Sequence, residues 1–388
     1  MKIGLENLPE NLIIKLEDDF REALFKKIKR RISFQELANR IGISSAHVYH
    51  VKNGRHGLRI KTLKQLCELF DKRLDEIESH VSELVSNRGA RARISLPIIL
   101  SEEIARLLGH CFGDGSVSFR KKQFSYSNRD RKLVISVKAG VSKVFGAGPI
   151  SEVRNKDGTF KVTFSSIVGE VLVAAGAPAG KKVNSQLDVP DWIKNGGHDI
   201  KRAFLCALFD DDGSVMISKS YHAKSVNLHF TRKKEHERYF RTFLETLKHM
   251  LCEFGIETHG PYTAREYWKP DGHRCVMGVL ITDYGSISHF AEEIGFRQVS
   301  RGRALDSLLR RGVVYAKTDI LNDLEKMKRT LIRTPFSTAE LAGKVGLTRK
   351  TALKRLKKLE EHGEVIRIGR TAPNRSIIWD LRGGEKTV

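Results

Sequence analysis

The chain has 388 residues, of which 40% are hydrophobic, and it carries 69 lysines and arginines against 46 aspartates and glutamates, a formal net charge of +23. This length is too great for one ordinary core and predicts about three domains, while the apolar content excludes wholesale disorder. So large a positive charge is unusual for a cytosolic enzyme and predicts a polyanionic partner, most simply nucleic acid.

The same sequence argues against a membrane protein and against a zinc site or a disulfide framework. We find no long apolar run, no amphipathic anchor and no signal peptide, since a mixed, charged segment follows Met1. The cysteines are scattered without a CxxC pair, which predicts reduced thiols in the cytoplasm and neither a zinc site nor a disulfide framework. They are Cys67, Cys111, Cys206, Cys252 and Cys275.

The N-terminal region, residues 1–88, opens with a charged segment of helical pattern over residues 1–30. Residues 33–45 (SFQELANRIGISS) then predict a short helix, a glycine turn and the N-cap of a second helix. Gly42 suits the turn because glycine adopts the left-handed conformation at little cost. Residues 30–80 resemble a helix-turn-helix of the phage-repressor type, although any small helical domain with a glycine turn would share this pattern.

The resemblance implies that the second helix, Ser45–Lys52, reads DNA bases and that residues 53–57 form a loop beside the DNA backbone. The small, polar and basic stretch at residues 86–93 predicts a linker to the next domain. The residues expected to contact DNA in this first domain are Ser45, His47, Tyr49 and Arg55.

A repeated motif organises the central region, which we place at residues 94–312. Residues 107–116 (LLGHCFGDGS) and 205–214 (LCALFDDDGS) each read as an apolar helix that ends in an acid, a glycine and a serine. Small residues at four-residue spacing let two such helices cross at close range. Asp114 and Asp212 would then emerge side by side, and paired carboxylates bind divalent cations. The small residues are Gly109 and Gly113 in the first helix, and Ala203 and Ala207 in the second.

The two copies resemble the LAGLIDADG motif of homing endonucleases. The first departs from the motif at its sixth place, where Phe112 replaces the usual acid, and the second at its third, where Ala207 replaces glycine. The two acids are 98 positions apart, which suits one αββαββα half of a single-chain member. One copy alone could be an ordinary buried helix that ends at Asp-Gly, because such helices are common. Two copies at this spacing favour the family.

The resemblance implies a fold, a site and a cofactor. The fold class is α+β, a pseudo-symmetric pair of αββαββα halves at about 94–190 and 191–312, flanked by two small helical domains of DNA-binding type. The chain is expected to be a monomer, because the motif helices supply the pseudo-two-fold axis internally. Mg²⁺ or Mn²⁺ would be held by the catalytic acids Asp114 and Asp212, with the backbone carbonyls of Gly113 and Asp211 as further ligands.

Alternating polar residues predict a sheet with one basic face that lies in a DNA groove. The predicted strands are residues 116–120, 160–164, 226–231 and 276–281, with helices at 167–175 and 235–254 between them. For any one residue, a solvated face is the simpler interpretation, so the argument depends on the set. The residues expected to contact DNA are Ser116, Ser118, Arg120, Lys161, Asn227 and His229.

The tail, residues 330–388, repeats the helix, turn and N-cap pattern and adds a hairpin, and it resembles a winged helix. Ser337 and Glu340 fit a capping box. Winged helices bind either DNA or protein, so both partners stay open for this region. The residues expected to contact DNA are Arg349, Lys350 and Lys354 on the basic helix, and Arg370 and Arg375 in the wing.

Two classes of function stay open. One is a divalent-metal-dependent DNA endonuclease, which the retained acids favour. The other is a cleavage-deficient transcription regulator that uses the same saddle to bind DNA, similar to bacterial sporulation regulators that join such a domain to a helix-turn-helix. The predicted strand ends at 164–166 and 281–283 contain no lysine to position a water. An RNA partner is a third and weaker alternative.

Overall fold

The structure is a computed structural model. It describes residues 1–87, 89–217, 224–331, 334–371 and 376–382, and of residues 311–323 only the backbone. The chain divides into two units, Met1–Leu305 and Asp306–Val388.

The N-terminal region of the first unit is a small sheet with helices. Its elements are β1 (Lys2–Ile3), β2 (Ile13–Leu16), α1 (Asp18–Arg31), α2 (Phe34–Arg40), α3 (Ser45–Lys52), β3 (Leu58–Arg59), α4 (Ile60–Leu69), α5 (Asp75–Glu78), β4 (Val81–Val85), β5 (Arg91–Ala92) and β6 (Ile98–Ile99). One antiparallel sheet has the strand order β3-β2-β4-β5, and β1 pairs separately with β6.

Two predictions for this region were wrong. Residues 1–30 are not helical throughout, because β2 buries Ile14 and Leu16 on alternate positions before α1 begins. The proposed linker at 86–93 contains β5, which pairs with β4 and therefore belongs to the sheet.

The predicted helix-turn-helix is present with its caps. The Ser33 hydroxyl accepts a hydrogen bond from the backbone N–H of Glu36 at the start of α2. The Ser44 hydroxyl accepts one from the backbone N–H of His47 at the start of α3. Between these helices Gly42 has φ +66°, the left-handed conformation that the turn requires. Local sequence signals therefore determine both helix starts.

The central region consists of two halves, each with the order helix, strand, strand, helix, strand, strand, helix. The predicted α+β class and the pair of αββαββα halves are thereby confirmed. The first half contains α6 (Glu102–Phe112), β7 (Gly115–Val117), β8 (Phe124–Asn128), α7 (Arg131–Phe145), β9 (Ser151–Arg154), β10 (Phe160–Thr163) and α8 (Ser166–Ala174).

A short helix, α9 (Asp191–Lys194), leads into the second half. The elements of the second half are α10 (His198–Asp212), β11 (Gly213–Ile217), β12 (Lys224–Lys233), α11 (Glu237–Cys252), β13 (His259–Lys269), β14 (Gly272–Ile281) and α12 (Tyr284–Glu293). The antiparallel sheets of the two halves have corresponding strand orders, β7-β8-β10-β9 and β11-β12-β14-β13.

One predicted strand is shorter than expected. The strand predicted at 116–120 ends at Val117, and Ser118 and Arg120 lie in the turn that follows. The turn closes because the backbone N–H of Lys122 donates to the Ser118 carbonyl at 2.9 Å.

The motif helices α6 and α10 pack against each other at their small residues. A Cβ atom on Gly109 would lie 2.4 Å from the Phe204 carbonyl oxygen and 2.7 Å from the Ala207 Cβ. Such distances leave no room for a side chain, so glycine is needed for the close approach. The predicted crossing of the two helices is therefore present.

The second unit contains most of a long helix, two shorter helices and a three-stranded antiparallel sheet of order β15-β17-β16. The predicted capping box forms, since Ser337 and Glu340 exchange hydrogen bonds. Trp379 is buried at the centre of the unit. The elements are α13 (Val299–Leu331, which begins in the first unit), β15 (Phe336–Ser337), α14 (Thr338–Val345), α15 (Arg349–Glu361), β16 (Val365–Arg370) and β17 (Ile377–Leu381).

Candidate metal and nucleic-acid site

The two motif acids lie at the ends of the crossed helices. Asp212 is the last residue of α10, and Asp114 comes two residues after the end of α6. Asp114 keeps contact with solvent although protein atoms surround its carboxylate, whereas Asp212 is half-buried. Because the helices cross at Gly109 and Gly113, their C-terminal ends are adjacent and bring the two acids to one place.

Both acids hold protons more tightly than ordinary aspartates. Lost hydration among the surrounding protein atoms, together with the negative charge of Asp211, raises the pKa of Asp114 to about 6. Lost hydration and the charge of Asp114 raise the pKa of Asp212 to about 7. A cluster of carboxylates that repel one another in this way is relieved when a cation binds among them.

Asn128 at the end of β8 orients the first acid. Its Nδ2 donates a hydrogen bond to Asp114 Oδ2 at 2.9 Å and lies 3.3 Å from the Tyr126 hydroxyl. Its Oδ1 accepts the backbone N–H of Asp130 at 2.8 Å, which fixes the amide plane. The sequence analysis missed Asn128, although its place at a strand end before Asp130 was a usable signal.

Two cationic side chains donate hydrogen bonds to the backbone carbonyl oxygens at the helix ends. Lys182 Nζ donates to the carbonyl oxygens of Phe112 at 3.2 Å and Gly115 at 2.8 Å, and also to that of Gly113. A cation at a helix C-terminus satisfies carbonyls that have no partner within the helix. Burial lowers the pKa of Lys182.

Arg301 does the same for the second motif helix. Its guanidinium donates to the carbonyl oxygens of Phe209 and Asp211, each at 3.2 Å, and to that of Asp210. The carbonyls of Gly113 and Asp211, predicted as metal ligands, are thus already hydrogen-bonded, although each oxygen keeps a second lone pair. Sequence reasoning missed both cations, because their partners are distant in the chain.

A cleft of about 450 Å³ opens beside Asp212. Arg232 lines it and is only 5% exposed, yet among the described residues its Nε and Nη2 have no hydrogen-bond partner. Burial lowers the pKa of Arg232 to about 10 in spite of the nearby Asp212 charge. A buried guanidinium with free N–H groups suits an anionic oxygen such as that of a phosphate.

The residues present partly fit a divalent ion. Carboxylate oxygens are the ligands that Mg²⁺ and Mn²⁺ prefer, and Asp114 and Asp212 supply them. In the part of the chain that the structure describes, however, no group of three His, Cys, Asp or Glu side chains is arranged to hold a metal ion. A metal bound here would therefore need water, DNA oxygens or the carbonyls to complete its coordination.

The predicted DNA-facing residues of the two sheets differ in exposure. Ser116 and Lys161 are exposed on their strands, and Ser118 and Arg120 are exposed in the turn. The prediction for Asn227 was wrong, since it is only 4% exposed. The reason is that β12 is a central strand, paired on both sides and packed beside the turn at residues 182–184.

His229 takes part in a contact that the sequence analysis did not predict. This half-buried side chain lies on β12, and its Nε2 is 2.5 Å from the hydroxyl of Tyr262 on β13. The strand between them carries Gly278, where a Cβ would lie 2.6 Å from His229 Cδ2. The absence of a side chain at this position lets the two rings meet across β14.

The predicted reading helix of the N-terminal region, α3, buries Val48 and Val51 and leaves its other side chains at least partly exposed. Tyr49 is 51% exposed and packs edge-on against Phe34. His47 and Ser45 are half-buried, and Arg55 in the following loop is exposed.

The basic residues predicted for the second unit are exposed where the structure describes them. Arg349, Lys350 and Lys354 lie on the outer face of α15, and Arg370 lies at the end of β16. Arg375 lies outside the described residues. Within the described part of the chain, no helix is both long and apolar enough to cross a membrane.

Two family models match the chain. Residues 28–83 match the Cro/C1-type HTH DNA-binding domain, and residues 199–295, most of the second half, match the LAGLIDADG-like domain. The chain therefore carries a DNA-binding helix-turn-helix domain and a LAGLIDADG-like domain, as the sequence predicted.

Similar solved structures include full-length DUF199/WhiA from Thermatoga maritima and I-DmoI in complex with DNA and Ca. The first is 14% identical, covers 68% of this chain and 92% of its own, and has a TM-score of 0.32. The second is 13% identical, covers 53% of this chain and 97% of its own, and has a TM-score of 0.35.

Curated relatives include the tRNA-splicing ligase RtcB of Methanocaldococcus jannaschii, 25% identical over 59% of this chain and 28% of its own length. The RtcB of Methanopyrus kandleri is 30% identical over 40% of this chain and 17% of its own. The RNA polymerase subunit Rpo1N of M. jannaschii is 24% identical over 57% of this chain and 20% of its own. The chain thus spans between 17% and 28% of these relatives.

Proposed function

We propose that the chain is a site-specific endonuclease that hydrolyses both strands of DNA with Mg²⁺ or Mn²⁺ held by Asp114 and Asp212. The observation that carries the proposal is the pair of motif acids at adjacent helix ends, whose raised pKa values reflect lost hydration and mutual repulsion. Carboxylates placed so unfavourably are characteristic of a site where a cation or substrate compensates.

Each nearby side chain has a role in this proposal. Divalent ions would supply charge neutralisation at the phosphate, a water of lowered pKa and stabilisation of the leaving oxygen. Asn128 holds the Asp114 carboxylate at 2.9 Å. Arg232 offers free N–H groups beside Asp212 to a phosphate oxygen. Lys161 on β10 and Arg120 in the turn after β7 are basic and exposed, and they would position the duplex.

The test uses the true target, selected from random duplexes, because failure to cut arbitrary DNA is uninformative. Asp114→Asn and Asp212→Asn should each abolish cleavage of both strands in Mg²⁺, since the ions are shared. Binding of the same DNA in Ca²⁺ should survive, because neither substitution removes a basic contact. Cleavage by both variants at the wild-type rate would contradict the proposal.

A second candidate is a cleavage-deficient DNA-binding regulator. It is favoured by Lys182 and Arg301, which already occupy the carbonyls of Gly113 and Asp211. With these cations in place, the helix ends are partly neutralised without any metal. The regulator predicts no cleavage of the selected target in Mg²⁺ or Mn²⁺, and only small changes of affinity in the two aspartate variants.

The names of the relatives do not define this chain's activity. A ligase and a polymerase subunit share only a minor segment of their length with it, so we assign neither activity here. We propose double-stranded DNA as the partner, RNA as the weaker alternative, the cytoplasm as the location and a monomer as the working form. The winged-helix assignment of the second unit is part of the same proposal.

A further inference from the structure

The two motif helices enclose a third carboxylate at their contact. Asp211 occupies the seventh place of the second motif copy and is 5% exposed. The residue at the seventh place of the first copy is Gly113, and a Cβ there would lie 2.4 Å from the Asp211 Cβ. The missing side chain in one helix thus makes room for the acid of the other.

Among the residues that the structure describes, the hydrogen-bond partners of this carboxylate belong to the opposite half. Asp211 Oδ2 lies 3.0 Å from His110 Nδ1 and accepts the backbone N–H of Asp114 at 3.0 Å. Its Oδ1 accepts the Tyr126 hydroxyl at 2.7 Å. A buried carboxylate with three partners is well satisfied, and such charge-assisted bonds have well-defined geometry.

The network closes into a ring that includes the exposed acid. Tyr126 contacts Asn128 at 3.3 Å, and Asn128 donates to the Asp114 carboxylate at 2.9 Å. Asp114 is therefore held twice, by its backbone through Asp211 and by its side chain through Asn128. Asp211 also precedes Asp212 directly in the chain. Its buried side chain therefore fixes the position of Asp114 relative to Asp212.

Helix packing alone does not account for a charge at this position. A small apolar residue would let the helices approach equally well, and a buried carboxylate costs free energy unless partners compensate it. The second copy has Leu208 at its fourth place, where the first has His110. The polar pair His110 and Asp211 is thus found on one side of the pseudo-symmetric contact only.

We propose that Asp211 is a positioning residue for a divalent-cation site formed by Asp114 and Asp212. It fixes the separation of the two ligands across the helix contact and adds a buried negative charge behind them. The inference rests on the cation site of the proposed function, and it assigns the role to the side chain of Asp211. Loss of a residue that orients a metal ligand weakens metal affinity by about 10- to 100-fold.

The test compares Asp211→Asn with Asp210→Asn in the full chain. Asp210 is the adjacent buried acid, and its Oδ1 accepts the backbone N–H groups of Arg297 and Gln298, away from the two ligands. Both variants remove one buried charge from one helix. Mn²⁺ titration followed by electron paramagnetic resonance should show affinity about 10-fold or more weaker in Asp211→Asn and little change in Asp210→Asn.

Tyr126→Phe is a milder variant in case Asp211→Asn does not fold. It removes one hydrogen bond and keeps the ring and the carboxylate, so we expect Mn²⁺ affinity to fall by about 10-fold. Protection of the Asp114 amide from hydrogen exchange should fall in Asp211→Asn and persist in Asp210→Asn, a readout independent of metal.

The outcomes separate the two proposals. If wild type binds no Mn²⁺, the cation site fails, and both the proposed nuclease and this inference are overturned. If wild type binds Mn²⁺ and the Asp210 and Asp211 variants bind it equally well, only the inference is overturned. An equal weakening in both variants would show a general effect of charge and would also overturn it.

Discussion

At the scale of single residues, the feature that distinguishes this molecule is a group of acids whose charges oppose one another. Asp114 and Asp212 have raised pKa values, and the buried Asp211 contributes to both shifts. The ionised forms of these acids therefore cost stability in the folded chain. The protein tolerates this cost because Lys182 and Arg232 lie close to Asp212 and partly offset it.

This cost predicts how stability depends on pH without metal. The pKa of Asp212 is about 7 in the folded chain against an ordinary 3.8, so the folded state binds this proton more tightly than the unfolded state. Its contribution to stability is therefore lost as pH rises from about 4 through 7. Asp212→Asn removes this loss and should be more stable than wild type at pH 8 by on the order of 2 kcal/mol.

Denaturant unfolding in EDTA at pH 5 and pH 8 measures the effect. The advantage of Asp212→Asn should be smaller at pH 5, where wild type is largely protonated at this position. Mn²⁺ should then raise the stability of wild type more than that of the variant. An advantage that is equal at both pH values would contradict the assigned pKa.

At the scale of elements, the contact between α6 and α10 depends on the absence of side chains. Gly109 lies against the Phe204 carbonyl, whereas Gly343 in α14 has open space where a Cβ would be. Both glycines are helical, so the same substitution is expected to have opposite effects. Alanine improves helix propensity at either position, but at Gly109 it must also displace a neighbouring backbone.

Gly109→Ala should lower the free energy of unfolding of the first unit by about 1 to 3 kcal/mol, the usual range for overpacking. Gly343→Ala should raise that of the second unit by about 0.5 to 1 kcal/mol. Hydrogen exchange resolved by residue measures each unit separately. A neutral Gly109→Ala would mean that the helix contact is looser than the structure indicates.

At the scale of the whole molecule, the net charge of +23 determines how DNA binding depends on salt concentration. Lysine and arginine displace counterions from phosphates, so affinity should fall steeply as salt concentration rises. The basic residues are distributed over both units, including Arg349, Lys350 and Lys354 on α15. A second unit that contacts DNA would therefore lengthen the protected site and steepen the salt dependence.

Removal of the tail from Thr334 onward tests this role. The truncated chain should bind the selected duplex more weakly, protect a shorter footprint and show a shallower salt slope. Its circular dichroism should retain the folded first unit, which has a core of its own. An unchanged footprint and salt slope would instead assign the second unit to a protein partner.

Features that depend on local signals can be predicted from the amino-acid sequence. The caps Ser33 and Ser44 set the starts of α2 and α3, and Gly42 set the turn between them. The repeated small residues determined the crossing of α6 and α10, because a helix presents residues four apart on one face. The two motif acids followed directly from that crossing.

The distant residues that complete the site could not be predicted in this way, because the packing of the folded chain brings them there. Lys182 and Arg301 lie far along the chain from the helix ends to which they donate. Arg232 comes from a different element of the cleft that includes Asp212, and no periodicity relates these three residues. The alternation of polar and apolar residues along β12 predicts the sheet face on which Asn227 lies, but it does not predict that Asn227 is buried. Its burial results from the pairing of β12 with a strand on each side and from packing by residues outside the sheet. Burial is a property of the assembled neighbours, and a strand's own sequence does not contain it.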